Sequence, residues 1–307
     1  MKFTFPRPAA IRRRARLALA VAILLFSSAL SAVVSATPAN AQFAEVLGGD
    51  SYDWTCMIGT GQAAWLWDNS LIYGIGVYIG GVDALAYSAG ECPYQNNNVS
   101  ASALATDMSD GWGLAFIWVG YQDPGTGYAN EYTTGSQATA DGESDAEAAA
   151  AKMCSLNLCG SDGPIYADVE GYGGAGNATN LTLAELYVNG WSYELDQVQG
   201  FESGVYGSIC GSAIDDYKNH SNVPDYIWPA WYNSASATTT MDLASPGCSP
   251  AIPNNNWDHD QRIVQWAENV PLNVDGNTYY VDYDCSLGGA TGINDFQPAC
   301  QGKQGSY

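Results

Sequence analysis

Positive charge is scarce in this chain of 307 residues: Lys and Arg number 10, against 32 Asp and Glu. Six of the ten (Lys2, Arg7, Arg12, Arg13, Arg14 and Arg16) sit at the start. From Gln42 onward Lys152, Lys218, Arg262 and Lys303 face all 32 acids, a net charge of −28. A surface of that sign repels a phosphate backbone and an anionic membrane face, so nucleic acid is excluded as a partner. Histidine is scarcer still: His220 and His259 stand far apart, and no CxxC pair accompanies them. That leaves no zinc-ligand spacing. A dinucleotide loop is missing too, since "CMIGTGQAAW" matches GxGxxG poorly. No cofactor and no metal are expected. Beyond residue 34 no apolar run is long enough to span a bilayer.

The first 41 residues read as a secretory signal. A basic start precedes 18 uncharged, apolar-rich residues from Leu17 to Val34, and Ala39-Asn40-Ala41 offers small residues at the cleavage positions. Cleavage is expected before Gln42, giving a secreted, extracellular or cell-envelope protein. A retained anchor is the alternative reading, and Arg13-Arg14 leaves the twin-arginine route open beside the general one. All eight cysteines follow this segment. An even number in an exported chain reads as disulfides, with Cys154 and Cys159 near enough to close a local loop.

Residues 42–307 suffice for one large domain, expected as a monomer. Along them strand-like and helix-like stretches alternate. The expected strands are "YDWTC" (52–56), "YGIGVYIGG" (73–81), "LAFIWVG" (114–120) and "PIYADVE" (164–170), then "SGVYGS" (203–208), "DYIWPAWY" (225–232), "RIVQWA" (262–267) and "TYYVDYD" (278–284). Helical patterns fall at 62–67, 99–111, 136–158, 180–198 and 212–220, with Thr182 and Glu185 spaced as a capping box. Alternation of this kind implies parallel strands. Eight strands in this length predict an α/β fold of the (β/α)8 TIM-barrel type, with its last helices degenerate. An open doubly wound sheet is the runner-up.

The stretch "PIYADVEGY" (164–172) puts Asp168 and Glu170 two residues apart in an otherwise apolar strand. Residues i and i+2 of a strand share a face. Both acids therefore leave Ile165, Ala167 and Val169 to the other side. In a barrel the strand ends line the active site. Asp53 falls at the end of the first expected strand, and Asp282 and Asp284 share a face at the end of the eighth. Tyr206, Trp231, Gln265 and Trp266 occupy comparable places. Carboxylates beside flat rings suit sugars: rings stack on pyranose faces, and a protonated carboxyl can act on a glycosidic oxygen. The rival uses are helix capping, chance placement in an acid-rich chain, and calcium ligation by Asp282 and Asp284.

"VYIGG", "GWGLAFIWVGYQ", the alanine-rich helix from Ala138 to Ala151, "PIYADVEGY", "GVYGS", "DYIWPAWYN" and "RIVQW…VDYD" occur in an order that resembles one family. It is a secreted bacterial glycoside-hydrolase-like group known as a domain of unknown function. That group is similar to the lysozymes of glycoside hydrolase family 25. The resemblance covers roughly residues 51–290. It implies a (β/α)8-type barrel and an Asp after the first strand, matched by Asp53. It also implies a D-x-E on the fourth, matched by Asp168 and Glu170. Gly204 and Tyr206, "IWPAW", Gln265 with Trp266, and Asp282 with Asp284 match the later strands. The first strand departs from the pattern, with an extra residue between Asp53 and Cys56.

Glu170 is the expected general acid, with a nearby carboxylate raising its pKa. Asp168 is expected to stay ionised and to stabilise or orient the sugar. Asp53 and Asp282 would hold hydroxyls or a water. The expected partner is a polysaccharide or a peptidoglycan glycan. The alternatives are a barrel that holds envelope glycans without cutting them, and a structural secreted protein.

Overall fold

The computed structural model describes residues 46–48, 59–70, 72–84, 99–160, 163–170, 178–209, 214–230, 252–253, 256–257 and 261–286. All belong to one compact unit, Gln42–Tyr307. Its strands are β1 (Val46–Gly48), β2 (Ile72–Gly80), β3 (Gly113–Trp118), β4 (Pro164–Asp168), β5 (Glu202–Ser208), β6 (Tyr226–Ala230), β7 (Ile263–Val274) and β8 (Asn277–Ser286). The helices are α1 (Gly61–Asn69), α2 (Ala101–Asp110), α3 (Gly135–Ser155) and α4 (Ala178–Tyr193). None of the described helices is long and apolar enough to cross a membrane.

Neighbouring strands pair in chain order from β1 to β8, and β8 pairs with β1. The sheet is strongly curled and rich in parallel pairs. The pairs from β1 to β7 are parallel, as the alternation predicts. The eighth strand corrects that expectation: β8 runs antiparallel to both β7 and β1. The cause is the connection. Asp275 and Gly276 both take positive φ, 47° and 82°, and a two-residue turn of that kind can only return the chain as a hairpin. No helix separates β7 from β8, and this is how the helices run out.

Two other expectations shift. The described strand in the first position is Val46–Gly48, upstream of the expected 52–56, which lies outside the described residues. Thr182 is not an N-cap. Helix α4 has already begun at Ala178, and the Thr182 hydroxyl donates to the Ala178 carbonyl. The helix pattern at 180–198 divides into α4 and one π-helical turn, Glu194–Gln199, stopped by Gly200 at φ 77°. Within 212–220 the described helix is a single 3-10 turn, Tyr217–Asn219.

Sheet alternation sorts the core into two sides. Val77, Ile79, Phe116, Trp118, Ile165, Ala167, Val169 and Val205 pack outward with residues of α2, α3 and α4. Tyr78, Ala115, Ile117, Tyr166, Tyr206, Trp228 and Ile263 pack together on the concave side. Each fully buried aliphatic side chain contributes about 1.5–3 kcal/mol. Burial on both faces also explains why the strands read as apolar runs.

The sequence specifies how closely α3 and α4 pack. An added Cβ at Gly142 would lie 2.2 Å from the Tyr187 carbonyl oxygen, and one at Gly190 would lie 2.4 Å from that of Thr139. Glycine at both crossing points lets the backbones touch. From α3, Asp145 reaches the sheet and accepts from Trp118 Nε1 (3.0 Å), Tyr121 N (2.9 Å) and Tyr187 Oη (2.8 Å). This buried carboxylate anchors the end of β3, and so the loop that follows it, to two helices. The expected Cys154–Cys159 disulfide is formed across the C-terminal end of α3.

Candidate functional site

Strand β4 does what its pattern requires. Ile165, Ala167 and Val169 pack outward. Tyr166 lies in the concave cluster with Asp168 on the same face, two residues on. Across the ladder Tyr166 pairs with Gly204 and Asp168 with Tyr206. A Cβ at Gly204 would fall 2.5 Å from the Tyr166 ring, so the glycine makes room for the tyrosine beneath the acid. Tyr206 in turn pairs with Trp228 on β6. Trp228 receives Tyr166 and Tyr206 edge-on, with ring centroids 5.3 and 5.9 Å away, a geometry aromatic quadrupoles favour.

The strand ends past this aromatic floor carry the acids. Asp168 is 3% exposed, and its Oδ1 is buried without a hydrogen-bond partner. Burial first, and the Glu170 charge second, push its pKa well up. Glu170 is half-buried one layer nearer the mouth. Its pKa is raised by burial and by Asp282, against a hydrogen bond from Tyr128 Oη (2.7 Å) that favours the carboxylate. The expectation that Asp168 stays ionised while Glu170 alone is raised is therefore corrected: both rise. Asp168 is the deeper because it still belongs to the ladder while Glu170 lies beyond it. The charge of Glu170 disfavours ionisation of its neighbour.

Two side chains of the loop after β3 frame this pair. The Gln122 amide donates from Nε2 to the Asp168 carbonyl (2.5 Å) and accepts at Oε1 from the Glu170 N–H (3.2 Å). Tyr128 is the second. Sequence reasoning missed both, although Gln122 was within its reach: "GYQ" follows the third strand, and a residue just past a strand end belongs at the mouth. It missed Trp228 as well, having looked to Trp231 in the same motif.

On the far side Tyr206 Oη donates to Gln265 Oε1 (2.6 Å), and Gln265 Nε2 donates to Asp282 Oδ2 (2.8 Å). Because β8 descends from the mouth, Asp282 comes first and is part-exposed, while Asp284 lies deeper and fully buried. Asp284 Oδ1 accepts from Trp228 Nε1 at 2.6 Å, and its pKa is pushed well up by burial, with Asp282 adding to the rise. The two acids do share a face, in the second half of β8.

The structure thus brings together Asp168, Glu170, Tyr206, Gln265, Asp282 and Asp284. Asp53, Trp231 and the Trp266 side chain lie outside the described residues. Among the described residues no three His, Cys, Asp or Glu side chains gather as a metal site.

No curated protein matches the chain. Among solved structures, an uncharacterized B. stearothermophilus protein aligns over 80% of this chain and 96% of its own, at 14% identity and a TM-score of 0.47. The modular autolysin LytC from Streptococcus pneumoniae aligns over 80% of this chain and 47% of its own, at 14% identity and a TM-score of 0.46. The Clostridium perfringens spore cortex lytic enzyme SleM aligns over 82% and 69%, at 13% identity and a TM-score of 0.48. Residues 64–285 match a single domain family, and the chain belongs to it: the Rv2525c-like, glycoside hydrolase-like domain family.

Proposed function

We propose that the mature chain is a secreted glycoside hydrolase of (β/α)8 type, acting on a cell-wall or extracellular polysaccharide. The observation that carries this reading is the Asp168–Glu170 pair, two carboxyls with raised pKa values at a strand end, facing Asp282 across the concave side. A pair raised in this way is suited to share a proton, and so to supply what glycoside cleavage needs first, an acid for the leaving oxygen.

Glu170, nearer the mouth, delivers that proton to the glycosidic oxygen and becomes a carboxylate. As the bond to the leaving oxygen breaks, positive charge develops on the sugar ring. Asp168, without its shared proton, stabilises that charge or orients a 2-acetamido group. Asp282, held by Gln265, faces Glu170 across the site and favours its protonated form before the reaction. It also offers an acceptor for a hydroxyl or a water. Tyr206 and Trp228 form the floor that fixes these groups.

Reducing-end release from peptidoglycan, chitin, arabinogalactan and α-glucans tests the reading. Release from one of them supports it and names the substrate class. Binding to one without release from any contradicts it, and makes the chain a glycan-holding barrel.

A further inference from the structure

The loop from Tyr121 to Thr134, between β3 and α3, is braced along its length. Gln122 N donates to the Asn130 carbonyl (2.9 Å) and Tyr132 N to the Gln122 carbonyl (3.1 Å), closing the loop on itself. The Asn130 side chain reaches Asp83 after β2 (2.8 Å). Asn180 of α4 donates to the Pro124 carbonyl (2.8 Å). Glu131 accepts from Gly125 N (2.9 Å) and holds the tip turn. These ties join the loop to β2, to α4 and to itself, and Tyr128 stands within them with its phenol 2.7 Å from Glu170 Oε2. A braced loop is a rigid arm, and what it presents keeps its place.

We propose that Tyr128 is a positioning residue for Glu170: it holds Oε2 from the loop side and leaves Oε1 as the oxygen that meets the glycosidic bond. The inference rests on the reading of Glu170 as proton donor. Three groups act on that carboxyl: Tyr128 from the loop, Asp168 from its own strand and Asp282 from β8. The phenol alone is a neutral donor, so it alone both orients the carboxyl and favours its charged form. A proton donor held in a single rotamer gains in rate, since small misplacements at a reacting centre are costly.

The test compares wild type with Tyr128→Phe, which keeps the ring and loses the donor. On a glycan the wild type cleaves, kcat falls about tenfold with KM nearly unchanged, and the alkaline limb of the kcat profile moves to higher pH. Carboxyl 13C NMR reads the same contact without turnover, as an upward shift of the Glu170 titration midpoint in Tyr128→Phe. Coincident midpoints overturn the inference, as does an unchanged pH limb in an active enzyme. A shifted midpoint in a chain that cleaves no glycan keeps the Tyr128 contact and refutes the glycosidase reading instead.

Discussion

The Gln122 side chain stands in for a strand next to Glu170. The β3–β4 ladder ends at the Trp118–Ala167 pair. Beyond it the Gln122 amide accepts from the Glu170 N–H and donates to the Asp168 carbonyl, as a further rung would. On the other edge Val169 N donates to the Tyr206 carbonyl at 3.0 Å. The backbone of the two catalytic candidates is therefore held on both edges after β3 has left.

Gln122→Ala removes that rung and leaves the buried Asp168 C=O and the part-buried Glu170 N–H unpaired. Water can reach the N–H, so the buried C=O sets the cost, about 1–3 kcal/mol. Urea unfolding should give a destabilisation in that range, with a loss of turnover larger than stability explains. A variant as stable and as active as wild type would show that the rung is idle.

Trp228→Phe tests the deep end of the site. It keeps most of the ring packing against Tyr166 and Tyr206 but takes the donor from Asp284 Oδ1. A buried carboxyl losing its charged-form donor costs about 1.5–3 kcal/mol. The loss should shrink at acid pH, where Asp284 is neutral in both proteins. A loss independent of pH would assign it to packing alone.

Stability should fall as pH rises. Burial raises Asp107 and Asp215 to about 6, and Asp123 and Asp196 to about 7, from an ordinary value of 3.8. Between about pH 4 and 7 the folded chain therefore binds more protons than the unfolded one, and each such group withdraws stability as pH climbs. The net charge of −28 acts in the same direction. Melting temperature should peak at the acid end of that window and flatten above pH 7. Asp196→Asn should reduce the slope, because Asp196 is raised by burial and by neighbouring Asp225. A melting temperature that climbs from pH 4 to 7 would contradict the assignment.

Gly142→Ala and Gly190→Ala should each destabilise the fold by about 1–3 kcal/mol or more, since each Cβ meets backbone and not a movable side chain. Thermal melts of the two variants check this. A neutral result at either would mean that α3 and α4 can separate without loss.

Much of the layout was legible in sequence because period-2 and period-3.6 patterns survive in a parallel-rich sheet. "PIYADVE" showed its two faces in its letters, and Gly204-x-Tyr206 marked a site where a neighbouring ring needs space. The direction of β8 was legible too, in Asp275-Gly276, but the habit of alternation overrode the turn. Tyr128 was not legible. It reaches Glu170 from 42 positions away through a loop whose course depends on Asp83 and Asn180, and no local pattern encodes such a contact. The pKa of Asp168 was misjudged for a related reason: a D-x-E spacing gives a shared face, while depth is set by where the ladder ends.

The central claim is that Glu170 is the proton donor of a glycosidase. Wild type and Glu170→Gln should be run side by side on whichever glycan the wild type cleaves, with a thermal melt of each. The account predicts a loss of turnover of about 10²–10⁴-fold with a melting temperature almost unchanged. Turnover retained in Glu170→Gln would contradict it.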